Sequence, residues 1–442
     1  MNYRKLLLSK KKKIAVWGTG YIGLSTMVYF AKKNIKSVGF DVDIKKINQI
    51  NSGILPIPEL KNWFGFDIRK FADKKLIFAT NNYEDVLNND CLVHFIAIPT
   101  EKNGKPYFEI LFKVLKKISE LKKLSLKNKP LVIIESTLTP QFTEKKIAPF
   151  LKKLKIELGK DILYSVAPRR DWFVEGTKTL DVLDRVFGSS DKRSCVETRN
   201  VLSIVCKKLH EASSHKEAEM AKSIENAFRQ MDITLANQLS LAFPNENIRE
   251  VLKLVGTKWN VNTYFPGFGT GGYCIPLSSQ YVLNQVKKKS SLTLLRETIK
   301  TDKLMNFEIA RSIAKKKYKK VGVLGLSYKG NLKVNILSPV IPFVEELRRK
   351  KVKVEVCDPY YTKKEIKKII ETDSFRFPND LKKFDCIVIA ADHDEFKLEK
   401  KIINKFVKKN TFILDFFGIW KKYNLNKYGK KYLISGDKNW IS

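Results

Sequence analysis

The chain lacks any apolar run approaching the roughly 18 residues a membrane-spanning helix needs, so no membrane insertion is expected. Near its start the only apolar cluster is Leu6, Leu7 and Leu8 within a basic stretch, too short for a secretory signal core; a cytoplasmic location is expected. Histidine is scarce, four in 442 residues, and none has metal-ligand spacing. His94 lies inside an apolar run and is read as a packed core residue. The six cysteines (Cys91, Cys195, Cys206, Cys274, Cys357 and Cys386) form no CxxC pair, which argues against both a disulfide framework and a zinc site. Cys357 and Cys386 sit in strand-like runs and read as small buried hydrophobes. Acidic residues are also short in supply, 46 against 84 Lys and Arg, for a net charge of +38. That excess is spread in short clusters such as Lys10 to Lys13, Lys315 to Lys320 and Arg348 to Lys351, the pattern of solvated lysine faces. No specific nucleic-acid partner is expected.

What is present begins with a buried strand at Ile14 to Trp17, followed at once by Gly18-Thr-Gly20-Tyr21-Ile22-Gly23 and an apolar helical stretch through Ala31. A second strand, Ser37 to Phe40, ends in Asp41. This order is the fingerprint of a βαβ dinucleotide fold. Gly18 permits the tight turn, Gly20 lets backbone approach a pyrophosphate, and Gly23 lets helix and strand pack closely. Asp41 is placed to accept from ribose hydroxyls, and its charge favours NAD over NADP. Further strands are read at Leu76 to Thr80, Cys91 to Ile98 and Leu131 to Ser136. Thr80, Pro99, Thr100, Ser136 and Thr137 fall at their carboxyl ends, where an open α/β sheet places its ligand, although capping or turn formation explains such hydroxyls equally well.

Lys216 to Phe243 reads as one long helix, with Met220, Ile224, Phe228, Met231, Leu235 and Leu239 recurring every three or four residues. That stripe suits either a domain core or a dimer interface. Lys222 and Asn226 are one turn apart and could clamp an oxyanion, although a helical Lys alone is ordinarily solvated. Downstream comes Phe265-Pro-Gly-Phe-Gly-Thr-Gly-Gly-Tyr-Cys274-Ile-Pro276. Its glycines, including Gly269 and Gly271, would let a ligand lie against backbone, and ending such a loop on a lone cysteine points to a reactive thiol rather than a packed one.

These motifs, together with IPT at Ile98 to Thr100, EST at Glu135 to Thr137, DRVFG at Asp184 to Gly188, GVLGLSYKG at Gly322 to Gly330, CDPY at Cys357 to Tyr360 and AADHDEF at Ala390 to Phe396, stand in the order and spacing of a known family. The chain resembles the UDP-glucose/GDP-mannose dehydrogenases over nearly its whole length. The resemblance implies NAD-dependent, four-electron oxidation of the C6 alcohol of a nucleotide sugar to a uronic acid, for surface polysaccharide precursors. UDP-glucose or a UDP-N-acetylhexosamine is the expected substrate type. Cys274 would carry the thiohemiacetal and thioester, Lys222 and Asn226 the oxyanions, and Glu175 general acid/base work, with Thr137 also catalytic. Gly18, Gly20, Tyr21, Ile22, Gly23, Asp41 and Thr100 would hold NAD; Phe265, Gly269, Gly271 and Lys329 would bind the substrate. Some of the excess charge would steer a pyrophosphate-bearing substrate.

The implied fold is α/β, two Rossmann-like doubly wound domains joined by a central helical region with a long helix. Expected domains are 1–205 for NAD, 206–305 for the helical centre with Lys222, Asn226 and Cys274, and 306–442 for the nucleotide sugar. A homodimer through the long helix is a family expectation. The sequence departs from the family at several points. Ser278 replaces an Asp, Arg169 and Arg170 follow Pro168 where a Glu is usual, Ile336 replaces an Arg, and the Arg expected near Phe416 or Phe417 is missing. A serine supplies no negative charge, so thioester formation is expected to be more secure than its hydrolysis. The alternatives are a two-electron hydroxyacid or 6-phosphogluconate-type dehydrogenase, which has no use for Cys274, and a catalytically impaired homologue that binds NAD or nucleotide sugar as a regulatory subunit.

Overall fold

In the computed structural model, residues 2–58, 60–102, 104–121, 128–171, 179–286 and 288–441 are described. The chain packs into two compact units, 1–224 and 225–442, the division falling within the long helix.

The first unit is built on β1 (Lys13–Trp17), α1 (Tyr21–Ala31), β2 (Ser37–Phe40), β3 (Ile77–Thr80), β4 (Cys91–Ile96), β5 (Leu131–Ile134), β6 (Leu163–Val166), β7 (Arg185–Ser189) and β8 (Leu209–Glu211). They form one sheet in the order β8-β7-β6-β5-β4-β1-β2-β3, parallel throughout except where β6 meets β7. Ile14, Ala15, Val16 and Trp17 are all fully buried, as a central parallel strand covered on both faces requires. β1 lies between β2 and β4, so the sheet reverses its winding at the carboxyl end of β1, the place where open α/β sheets take ligands. His94 is buried in β4, accepts the Trp17 indole N–H (3.3 Å), and burial holds its pKa down at about 4.

The strand read from Leu131 to Ser136 stops at Ile134, because the next two side chains are used elsewhere. Glu135 turns into a buried ion network, and the Ser136 hydroxyl accepts the Ile98 N–H (3.0 Å) and donates to the Ile98 carbonyl (2.7 Å). β6, β7 and β8 escaped the hydrophobic pattern. The faces of β6 and β7 carry buried hydroxyls and an arginine, with Ser165 bonded to Ser189 (2.7 Å) and to Thr198 of a neighbouring helix (2.6 Å), and β8 is a short strand with His210 and Glu211 exposed.

The long helix α2 spans His215–Ala242. Its buried face is polar: Glu219, Ser223, Asn226, Gln230, Thr234 and Asn237 are all at most 3% exposed. Of the apolar stripe read from sequence, Phe228 is 62% and Leu235 55% exposed, whereas Met220, Ile224, Met231 and Leu239 are half-buried, Leu239 against Ala236, Ile248 and Leu252. Four of the buried polar side chains, Glu219, Asn226, Gln230 and Asn237, hydrogen-bond segments outside the helix, and that work outweighs the usual preference for apolar residues inside.

The second unit contains the rest of α2, then α3 (Cys274–Gln285) and α4 (Thr293–Lys315), followed by β9 (Lys320–Leu324), β10 (Lys353–Cys357), β11 (Asp373–Ser374), β12 (Cys386–Ile389), β13 (Phe412–Asp415) and β14 (Lys431–Ile434). The strands form an all-parallel sheet in the order β11-β10-β9-β12-β13-β14, so the second half of the chain is also doubly wound. Among the described residues, no helix is long and apolar enough to cross a membrane.

Candidate active site

The glycine turn of the first unit has the geometry of a dinucleotide cradle. Gly18 has φ +87°, and a Cβ there would stand 2.7 Å from the Ala97 carbonyl oxygen. At Gly23 a Cβ would be 1.8 Å from the Gly18 carbonyl oxygen, so only glycine lets α1 sit this close to β1. Gly20 is different: nothing lies within 4 Å of its Cβ position, and as N-cap it offers α1 no side-chain oxygen. Open space and helix N–H groups therefore meet at one point, which suits a diphosphate. Tyr21 and Ile22 open that helix. Asp41 accepts from Thr19 N (2.9 Å), Thr19 Oγ1 (2.7 Å) and Lys46 Nζ (3.1 Å). Burial opposes its ionisation, but those donors prevail and its pKa is lowered. The Thr100 hydroxyl donates to the Thr137 carbonyl (2.7 Å), tying together the two loops that leave β4 and β5.

Beneath this turn lies a buried charge network. Arg169 makes a bidentate pair with Asp171 (2.7 Å for each bond) and donates to Ser25 Oγ (2.7 Å) and Thr26 Oγ1 (2.6 Å) on α1. Glu135 stands 3.6 Å from the same guanidinium and is also paired with Arg185. Arg169 thus forms a strut that grips the back of α1. Its proximity in sequence to the substrate loop gave no hint of this, because Ser25 and Thr26 lie over 140 residues away in the chain. Glu175 lies outside the described residues. Glu219, on α2, accepts the N–H groups of Phe142 (3.0 Å) and Thr143 (3.1 Å) and the Thr143 hydroxyl. Burial pushes its carboxyl up to about 7. Lys222 is half-buried three residues further along α2.

In the second unit, Cys274 is the first residue of α3 and its side chain is exposed. One turn later, Ser278 is buried and its Oγ accepts the Asn226 carboxamide N–H (3.0 Å). Asn226 and the Cys274 helix are thereby joined through the residue that departs from the family pattern. Asn226 is preceded one turn earlier on α2 by Lys222.

The loop before Cys274 is held by side chains from two helices. Asn237 Oδ1 accepts Gly267 N–H (2.8 Å); Asp302 Oδ1 accepts Thr270 N–H (3.1 Å); Gln230 donates to both Thr270 Oγ1 (3.1 Å) and Asp302 Oδ2 (2.9 Å). Gly272 N–H donates to the Ile336 carbonyl (3.0 Å), so the position lacking the family arginine supplies a backbone anchor instead. Gly269 has φ +116°, and the space beside it is bounded by Pro339 and Asn306. The space left by Gly271 is filled by Tyr328 and Pro339, so here the glycine serves packing. Phe265 is 47% exposed with the Arg249 guanidinium over its ring (5.5 Å). Arg249 also donates to the carbonyls of Pro266 and Phe416 (3.0 Å each), so an arginine does reach the Phe416 loop, from a helix more than 160 residues earlier. Lys329 is half-buried; burial lowers its pKa, with Asp392 opposing that effect and Arg229 adding to it.

Residues 12–210 match the NAD binding domain of the UDP-glucose/GDP-mannose dehydrogenase family, 216–303 its central domain and 322–422 its UDP binding domain. Protein CapL of Staphylococcus aureus is 30% identical over 94% of this chain and 98% of its own length. The chain belongs to the UDP-glucose/GDP-mannose dehydrogenase family. The UDP-N-acetyl-D-mannosamine dehydrogenase of Pyrococcus horikoshii is likewise 30% identical, covering 87% of this chain and 90% of that protein. The solved structure of a UDP-D-ManNAc dehydrogenase from Pyrococcus horikoshii superimposes with a TM-score of 0.83 at 28% identity, over 97% of this chain and all of that one.

As a family member the chain is an NAD-dependent oxidoreductase. The cradle is compatible with that cofactor: Gly20 leaves open space at the uncapped start of α1, and the Asp41 carboxylate follows the second strand. Residues of these sites not singled out for their roles from sequence include Glu219, Gln230, Asn237, Arg249, Asp302 and Tyr328. Glu219, Gln230 and Asn237 left a signal, their helical spacing with Ser223 and Asn226 on what proves to be the buried face.

Proposed function

We propose that this dehydrogenase oxidises the C6 alcohol of a UDP-linked N-acetylhexosamine or hexose to the uronic acid, which then serves surface polysaccharide assembly. The observation that carries the chemistry is the Asn226–Ser278 hydrogen bond, one turn from the exposed Cys274 at a helix start. It supports a site in which the Asn226 carboxamide, held against the turn after Cys274, would serve as oxyanion donor to a thiol nucleophile. NAD, when bound, is the acceptor for the hydride at both oxidation stages.

The alcohol carbon first loses a hydride and its hydroxyl a proton, leaving an aldehyde. Cys274, as thiolate, adds to the aldehyde carbon and forms a C–S bond; the resulting oxyanion is met by Asn226 and, one turn earlier on α2, by Lys222. Loss of the second hydride converts the thiohemiacetal into a thioester. Water breaks the C–S bond, releasing carboxylate and returning the thiol. Ser278 contributes a hydroxyl where the family has a carboxylate, so it orients Asn226 and offers no general base; Glu175 and Thr137 are the remaining groups assigned to proton handling. Phe265, Gly269 and Lys329 would receive the nucleotide end.

The relatives' printed substrates put UDP-N-acetylmannosamine first in a panel with UDP-N-acetylglucosamine, UDP-glucose and GDP-mannose. Two NADH per sugar are expected, with activity lost in Cys274→Ser. One NADH per sugar overturns the cysteine pathway, and a wild type as inactive as Cys274→Ser on every sugar establishes a binding subunit instead. The exposed Phe228 and Leu235, two turns apart on α2, support a homodimer through this helix.

A further inference from the structure

The aspartate that follows β2 collects more donors than the binding of a ribose hydroxyl calls for. Asp41 Oδ2 accepts three, the Thr19 N–H (2.9 Å), the Thr19 hydroxyl (2.7 Å) and the Lys46 ammonium (3.1 Å), while Oδ1 accepts the Asp43 N–H (3.1 Å). Four donors from three segments therefore converge on one carboxylate: the glycine turn, the bend after β2 and the first turn of the helix Ile44–Asn51. Asp41 is 8% exposed, whereas Lys46 keeps a quarter of its side chain in solvent, so the ammonium closes the cluster from the outer side. Asp43, the other acid here, caps the same helix, its Oδ1 accepting the Lys46 N–H (3.2 Å) and fixing the base of the lysine side chain.

Two backbone N–H groups, a hydroxyl and an ammonium aimed at one place make a donor set for a phosphate monoester, which offers three charged or partly charged oxygens. A ribose hydroxyl, by contrast, needs one free acceptor position, and Oδ1 with its single donor retains one. NADP differs from NAD by a phosphate on the ribose 2′-hydroxyl, the group that an aspartate at this position accepts. In this chain the donors are taken by a carboxylate, and a dianion brought beside it meets like charge in a place where water screens poorly. Lys46 cancels part of that repulsion, because its ammonium lies 3.1 Å from the same carboxylate.

We propose that Thr19, the Asp43 N–H and Lys46 form a phosphate-binding nest that the Asp41 carboxylate fills, so that Lys46 is a specificity-determining residue for the cofactor alongside Asp41. Asp41 excludes the 2′-phosphate, and Lys46 sets how strict that exclusion is. No bond is made or broken in this role. The proposal concerns which dinucleotide the first unit admits, and it does not depend on the sugar or on Cys274.

The test titrates the full chain, without sugar, with NADH and with NADPH and follows cofactor fluorescence. Asp41→Ser removes the carboxylate and is expected to bind NADPH at least about tenfold more tightly than wild type does, and adding Lys46→Met should take most of that gain away. No gain in Asp41→Ser, or a gain that survives Lys46→Met, overturns the proposal. Lys46→Met alone keeps Asp41 in place and decides the matter even where Asp41→Ser does not fold, as read by circular dichroism. It should weaken NADPH at least about threefold more than NADH, since only the phosphate loses a counter-charge. An equal change for the two cofactors assigns Lys46 a merely structural pairing with Asp41 and overturns the proposal. Because no turnover is needed, a chain that oxidises no sugar would still show or fail to show this selectivity.

Discussion

The two α/β units begin with the same device and use it for different ends. Each follows its first strand with a glycine at positive φ, Gly18 at +87° and Gly325 at +108°. Each ends its second strand in an aspartate that accepts from the glycine turn: Asp41 from Thr19 N and Oγ1, Asp358 from Leu326 N (2.8 Å) and Ser327 N (3.0 Å). In the first unit a helix starts at Tyr21, leaving its N-terminus and the open Gly20 position to a ligand. In the second, the next helix is Val340–Arg349, and Asp358 is filled further by Tyr360 N (2.9 Å) and His393 (3.1 Å). The intervening turn instead presents Tyr328 and Lys329. A shared βαβ frame binds a dinucleotide only where the helix begins at once; otherwise the same aspartate becomes a structural clasp.

The largest effect that can sharpen this contrast is expected at Gly23. A methyl group there would meet the Gly18 carbonyl oxygen at 1.8 Å, so Gly23→Ala should cost at least about 3 kcal/mol in urea denaturation and abolish measurable NAD binding. Gly20→Ala provides the control, with stability within about 0.5 kcal/mol of wild type and NAD titrating at least about tenfold more weakly. Unchanged NAD affinity in Gly20→Ala would break the distinction between the two turns.

Asp358→Asn should follow, at about 2–3 kcal/mol, because the amide turns a donor toward buried N–H groups and breaks the pair with His393. NAD affinity should be unchanged, whereas Asp41→Asn should weaken NAD with the smaller loss of stability. Burial opposes ionisation of Asp358, but His393 and the two loop N–H groups outweigh it and lower its pKa. Its contribution to stability is therefore present above the ordinary carboxylate range and is lost as pH falls through the depressed value.

The smallest effect has the opposite sign. Burial raises Glu219 to about 7, so its contribution is full below the ordinary glutamate pKa and is lost as pH rises through about 7. Stability should decline by on the order of 2 kcal/mol from pH 5 to pH 8 on this account, and Glu219→Gln should flatten that part of the profile. A wild-type profile that the substitution leaves unchanged would show Glu219 ionised throughout.

The local features were legible because each depends on residues a few positions apart. The turn at Gly18 to Gly23, the strand Ser37–Phe40 ending at Asp41, the long helix and the loop into Cys274 all have sequence spacings that map onto backbone geometry. Pairings across long separations left no such trace. Arg169 grips Ser25 and Thr26, Arg249 reaches the Phe416 carbonyl, and Tyr328 fills the space over Gly271 and Gly272. On α2 the sequence left core and interface open for the same reason: hydrophobic periodicity marks an apolar stripe, but the partners of Asn226, Gln230 and Asn237 lie on distant segments and draw the polar stripe inward.

By itself, then, the sequence determined the two α/β frames, the glycine turn of the NAD domain and the glycine-rich loop that ends on Cys274, all set by local steric rules and strand periodicity. Tertiary structure alone decided which residues serve them, such as Ser278 holding Asn226 and Tyr328 lying along the cysteine loop. Hydrogen-bond donors and ring volumes act over a few ångströms of space, and only the folded chain determines which residues come that close.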